Sequence, residues 1–204
     1  EHDAATAKAV DAATKKLGMT VTEETIDGVR CYRLTPANLA DEHKGRLFVH
    51  VHGGGFVKNS GLAAAGEGAL IAAATGMEVI SIDYRMPPDH PFPAALDDVT
   101  KVWKAVVKDR APRTTGLGGT SGGANITLAT MLKIKENKLP HPGALFVGTP
   151  AIDMNKDGGD SRATNEGVDR NLVTWDALAV AGFRMYAGNA DPKNPLISPV
   201  YGDV

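Results

Sequence analysis

Apolar residues along this chain repeat in two rhythms that take turns. Residues 3–17 are alanine-rich with Val10 and Leu17 on one side, which predicts a helix stopped at Gly18. Two β-like runs follow, 19–25 and 29–34, split by Asp27-Gly28, a dipeptide suited to a tight hairpin turn. After a polar loop (36–45) comes a strong strand, 46–52, which runs directly into Gly53-Gly54-Gly55-Phe56. Residues 62–75 predict an alanine-rich helix ending near Gly76, and 78–83 a buried strand. Past the proline-rich stretch 86–93, Leu96, Val99, Val102, Trp103 and Val106 are spaced for one buried helix face over 94–109. An extended segment, 113–118, meets a second glycine cluster, and beyond it Ile126, Ala129, Leu132 and Ile134 predict a helix over 124–138. A short apolar strand, 144–147, ends at Gly148. The pattern then gives way to a polar loop (153–171), a helix around 174–186 and a proline-bearing tail (191–204).

Apolar strands alternating with helices predict an α/β fold, with a mostly parallel central sheet covered on both faces. Ligands in such sheets bind at the carboxyl ends of strands. Residues 52–55 and 121–122 both fall at such ends, so the two glycine-rich features are expected to face one crevice. A length of 204 residues suits one substantial domain. The net charge of −2 gives no reason to expect nucleic acid or an anionic membrane as partner. The single cysteine, Cys31, excludes an internal disulfide, offers no zinc cluster and fits a reducing, cytoplasmic compartment.

The chemistry concentrates in Gly119-Thr120-Ser121-Gly122-Gly123, a Gly-x-Ser-x-Gly pattern set between a predicted strand and a predicted helix. A strand that turns abruptly into a helix leaves the serine on a tight corner, and glycines are needed where the corner has no room for a Cβ. The helix that begins there aims its free N–H groups and positive dipole end at whatever the serine attacks. Attack on an acyl carbon also needs N–H donors for the oxyanion. Gly54 and Gly55 can bring bare backbone N–H groups close to a substrate, and Gly122 supplies the N–H directly after the serine.

Three blocks together are more specific than any one of them: His52-Gly53-Gly54-Gly55-Phe56, the run from Asp83-Tyr84-Arg85 to Asp97-Asp98, and Gly119 to Gly123. In order and spacing the chain resembles the hormone-sensitive-lipase-like branch of the α/β-hydrolases. The resemblance implies that Ser121 is the nucleophile, that Gly54, Gly55 and Gly122 form the oxyanion hole, and that His52 and Gly53 support that loop. It further implies that Asp83 and Arg85 are structural. Three positions depart from the family pattern: Thr120 replaces an acidic residue, Gly122 an alanine and Ala124 a glycine.

In that family an acid and then a histidine follow the serine. Here one histidine does, His141, roughly a helix length from the corner, on the order of 20 Å. It therefore reads as a surface-loop residue. His50 reads as a packed sheet residue, His90 as structural, and His2 and His43 as solvent-exposed. The tail 194–203 resembles the segment that precedes the family's last strands. The expectation is thus a single, incomplete α/β-hydrolase domain over 1–204, lacking the C-terminal strands, with the triad Asp and His beyond residue 204. Residues 1–18 and about 155–190 are expected to contribute cap elements. An apolar sheet edge is expected beyond 144–147, covered by a second chain or fragment.

The function this implies is a serine carboxylesterase acting on short-chain acyl esters through an acyl-enzyme at Ser121. The alternatives are an amidase using the same site and a non-catalytic ligand-binding protein on the hydrolase scaffold. The expected partner is a small-molecule ester, with no nucleic acid, no membrane, no cofactor and no metal; a homo-oligomer is compatible. One decoy, Asp153-x-Asn155-x-Asp157-Gly158, matches the start of a calcium loop. It has Thr164 where a bidentate glutamate is needed, so it reads as a turn.

Overall fold

A computed structural model describes residues 1–155, 164–168, 170 and 178–203. Among these, six strands form one sheet in the order β1-β2-β4-β3-β5-β6. β1 (Thr20–Ile26) and β2 (Val29–Thr35) make the expected hairpin, with Ile26 facing Val29 across the turn. Asp27 and Gly28 both take positive φ, 48° and 82°, as the two central positions of a twist-matched turn require. β2 pairs antiparallel with β4 (Glu78–Ile82), whereas β4, β3 (Leu47–Val51), β5 (Thr115–Thr120) and β6 (Ala144–Gly148) run parallel. The sheet is thus mixed and mostly parallel.

Strand side chains alternate between two cores. Leu47, Val49, Val51, Ile80, Ile82 and Leu117 pack against α3 (Ala94–Asp109) and α4 (Gly122–Glu136). On the other face Tyr32, Leu34, Phe48 and Val79 meet α1 (His2–Lys16) and α2 (Gly66–Thr75). β3 is buried at every position, as a strand covered on both faces must be. α3 matches its predicted span, and its apolar stripe, Trp103 included, is buried.

Several boundaries differ from expectation for identifiable reasons. In α1, Thr14 rather than Leu17 joins Val10 on the buried face, because 10 and 14 are one turn apart. Leu17 is the C-cap and stays exposed. The helix expected at 62–75 opens as a 3-10 turn, Gly61–Ala65, before α2 begins. α4 starts at Gly122, two residues earlier than its apolar spacing predicts, since glycine's poor helix propensity hides the first turn. The last helix, α5, is described over Leu178–Ala187; the earlier part of the predicted 174–186 helix lies outside the described residues. On the β6 edge, Leu145 and Phe146 are exposed, as expected of an apolar border. Among the described residues no helix is long and apolar enough to cross a membrane.

Candidate active site at the strand-to-helix corner

β5 delivers Ser121 to the carboxyl edge of the sheet, and α4 begins at the next residue. Ser121 has φ 58° and ψ −120°, a combination that L-residues avoid and that persists only where the surroundings over-determine it. The restraints are visible. Its N–H donates to the Gly148 carbonyl at 2.9 Å, continuing the β5–β6 ladder, and its own carbonyl accepts from Asn125 N at 3.1 Å. Asn125 is buried and donates from Nδ2 to the Ile197 carbonyl at 2.8 Å, which ties the helix to the tail.

Glycine at 119 and 123 is a steric requirement. A Cβ on Gly119 would lie 1.8 Å from the Val51 carbonyl oxygen, and one on Gly123 2.0 Å from the same atom. The end of β3 therefore presses directly on the corner. Gly53 is the next point of contact, with its Cβ position 3.4 Å from Ser121 Cβ and 2.7 Å from the Thr120 carbonyl oxygen.

The loop after β3 is tied down by its own carbonyls. The Gly53 carbonyl accepts from His52 Nδ1 at 2.7 Å and from Asn59 Nδ2 at 3.1 Å. The Gly54 carbonyl accepts from Val57 N and Lys58 N at 3.3 and 3.1 Å. Because a trans peptide is planar with N–H and C=O opposed, fixing the carbonyls of 53 and 54 also fixes where the N–H groups of Gly54 and Gly55 point. Neither N–H donates to an acceptor among the described residues. Gly54 (φ 118°) and Gly55 (φ 61°) take backbone angles that favour glycine. Asp3 of α1 anchors the far side of the loop, accepting from Asn59 N at 2.7 Å and from Ser60 N at 3.1 Å.

His52 is buried and stacks on Tyr84, ring centroids 4.1 Å apart, while the Tyr84 hydroxyl donates to the His52 carbonyl at 2.8 Å. A carbonyl only accepts, so Nδ1 carries the proton and Nε2 is bare; no partner for Nε2 exists among the described residues. Burial depresses this imidazole to a pKa of about 4. A neutral ring committed at Nδ1 suits bracing.

Asp83 accepts from Arg30 Nε at 2.6 Å and from Gly61 N at 3.1 Å, and Asp98 holds Arg85 Nε and Nη2. His90 and His141 are exposed, and no histidine hydrogen-bonds Ser121 among the described residues. His43, expected to be solvent-exposed, is half-buried with a covered Nδ1. Burial pushes the Cys31 thiol up to about 12, which keeps it protonated and inert. Of the calcium-like run, Asp153 caps the N–H of Asn155 at 2.8 Å, while Asp157 and Gly158 lie outside the described residues.

Sequence patterns miss two sets of residues. Asp3 and Asn59, which hold the loop, carry no local signature. On the other side, Phe56 is fully buried between the corner and α5: a Cβ on Gly122 would touch its ring at 3.3 Å, and Tyr186 stacks on it at 4.2 Å. Phe183 meets the same ring edge-on, and a Cβ on Gly182 would lie 2.4 Å from the Gly55 carbonyl oxygen. α5 thus sits directly on the glycine loop.

Comparison with known proteins agrees with this geometry. A family model described as alpha/beta hydrolase fold matches residues 48–204. An esterase of Acinetobacter venetianus is 32% identical over 161 residues, 78% of this chain and 52% of its own. The crystal structure of an esterase, E25, superposes with a TM-score of 0.93 at 45% identity, covering 98% of this chain and 61% of that one. EstE7, a homologue of hormone-sensitive lipase from a metagenome library, superposes with a TM-score of 0.82 at 29% identity, covering 99% and 69%. The chain spans about half the length of the curated relatives it matches. By fold, by corner and by family match, it belongs to the α/β-hydrolase fold family, in the hormone-sensitive-lipase-like branch.

Proposed function

We propose that this chain supplies the nucleophile and oxyanion hole of a serine carboxylesterase that hydrolyses short-chain acyl esters through an acyl-enzyme at Ser121. The observation that carries the reading is the Ser121 corner, held at φ 58° and ψ −120° beside a loop whose Gly54 and Gly55 N–H groups are fixed through the preceding carbonyls and meet no acceptor among the described residues. In this reading Ser121 Oγ attacks the ester carbonyl, and the developing oxyanion accepts from Gly54, Gly55 and Gly122 N–H. The acyl-enzyme is then hydrolysed by water. Gly122 opens α4, so its N–H lacks an intrahelical acceptor and the helix dipole adds to the field. No histidine hydrogen-bonds Ser121 among the described residues, so this reading takes the base and its orienting acid from outside them.

The cap reading draws support from both ends of the chain. α1 anchors the loop through Asp3, and α5 rests on Gly55 and Phe56. The close aromatic packing of Phe56, Phe183 and Tyr186 over the corner suits a small acyl group.

The test is labelling of the full-length protein with a fluorophosphonate probe. An adduct at Ser121 is expected, and Ser121→Ala is expected to abolish it and cut ester hydrolysis by about 10⁴-fold or more. A folded protein that forms no adduct would overturn the enzymatic reading in favour of ligand binding. A nitrophenyl ester series should then show kcat/KM falling as the acyl chain lengthens.

A further inference from the structure

A second serine–histidine–carboxylate set lies beneath the corner, on the α2 face of the sheet. His50 and Ser81 are register partners on β3 and β4, both fully buried, with His50 Nδ1 and Ser81 Oγ 2.9 Å apart. Gly68 lets α2 close on the pair: a Cβ there would lie 2.1 Å from Ser81 Oγ and 3.2 Å from His50 Nδ1. Glu67, one residue earlier, accepts at Oε2 from His50 Nε2 at 3.0 Å and at Oε1 from the Thr120 hydroxyl. Gly148 leaves space for that hydroxyl, since a Cβ at 148 would lie 2.7 Å from Thr120 Oγ1.

The bond types match a hydrolase triad, but the geometry excludes that use. Neither Ser81 nor His50 has any exposed surface through which an acyl donor could arrive. The chain of bonds instead ends at Thr120, the residue joined directly to Ser121. Burial works to raise the Glu67 carboxyl, but the bonds from His50 and Thr120 outweigh it and hold it below its ordinary value. An ionised carboxylate is the strongest acceptor a threonine hydroxyl can find in a protein.

We propose that Glu67 is a positioning residue for Ser121: its carboxylate, steadied by His50 and Ser81, grips the Thr120 hydroxyl and fixes the strained corner in its attacking orientation. The inference rests on reading Ser121 as the nucleophile. Backbone bonds hold the peptide planes on either side of Ser121 through its N and its O, and a third restraint, on the Thr120 side that carries the strand into the corner, is left to a side chain. The side-chain bond to Glu67 supplies that third restraint. A nucleophile displaced by a fraction of an ångström loses reaction rate rather than substrate affinity.

The experiment uses the full-length protein, with p-nitrophenyl butyrate as substrate and a fluorophosphonate to titrate Ser121. Thr120→Val, which keeps the shape and removes the hydroxyl, is expected to lower kcat and the labelling rate by about 10- to 100-fold with KM unchanged within about threefold. Thr120→Ser is expected to restore most of the rate. Glu67→Gln keeps an acceptor oxygen and is expected to lose less, about three- to tenfold; it carries the test alone if the valine variant does not fold. A folded Thr120→Val protein whose kcat per titrated site stays within twofold of wild type, even with a lowered Tm, overturns the inference. A wild-type protein that takes no label at Ser121 overturns the nucleophile reading itself, a result distinguishable from the first.

Discussion

His50 and His52 stand two residues apart, one in β3 and the other just past it, yet their surroundings assign them opposite tasks. His50 lies beneath α2 with both nitrogens engaged, between the Ser81 hydroxyl and the Glu67 carboxylate. His52 lies where the strand becomes loop, tied by Nδ1 to the adjacent carbonyl and bare at Nε2. The first belongs to a framework of side chains drawn from four separate elements. The second belongs to a loop shaped by its own backbone, with an aromatic ring as its floor. The same residue type in the same rhythm can thus hold tertiary structure at one position and local conformation two residues on. Proton inventory, rather than sequence spacing, distinguishes them.

The largest break in this contrast is expected from His50→Leu. It leaves the Ser81 hydroxyl buried without its acceptor and removes one donor from Glu67, a loss of about 4 kcal/mol in unfolding free energy measured by urea denaturation. A loss below about 1 kcal/mol would show the framework to be slack. The next effect is a pH dependence at His52. Its folded pKa lies near 4 and its unfolded value near 6.5, so the unfolded chain binds the extra proton between these values. Its contribution to stability is therefore complete above pH 6.5 and is lost as pH falls toward 4, by about 3 kcal/mol. His52→Phe, which keeps a ring against Tyr84, should remove that part of the slope; an unchanged slope would place the proton uptake elsewhere. The smallest expected change is Asp3→Ala, which removes three hydrogen bonds from Asn59 and Ser60. Because Asp3 is partly solvated, about 1 kcal/mol is expected, with faster amide exchange concentrated in residues 53–61.

Features encoded by neighbours in the chain are legible in the sequence alone. Asp27-Gly28 announces its hairpin, the stripe from Leu96 to Val106 sets α3 to the residue, and the glycines around Ser121 mark a corner where two backbones meet. Features that join distant positions are not legible in this way. Glu67 and Thr120 are 53 residues apart, and Asp3 and Asn59 are 56; nothing local in either stretch signals the other. Thr120 stands out in the sequence as a departure from an acidic residue, but the carboxylate that approaches it from α2 does not. The same limit explains Leu17: apolar content suggests burial, while the geometry of the packed turn selects Thr14.

The bond from Ser121 N to the Gly148 carbonyl has a further consequence. The serine's own amide is spent on β6, so in the proposed mechanism the oxyanion is left to the N–H groups of Gly54, Gly55 and Gly122. The same bond makes β6 the gauge of the serine's height above the sheet. Leu145 and Phe146, which leave that strand's border open to solvent, are thus one peptide ladder away from Ser121. Whatever settles on that border is mechanically in series with the Ser121 corner.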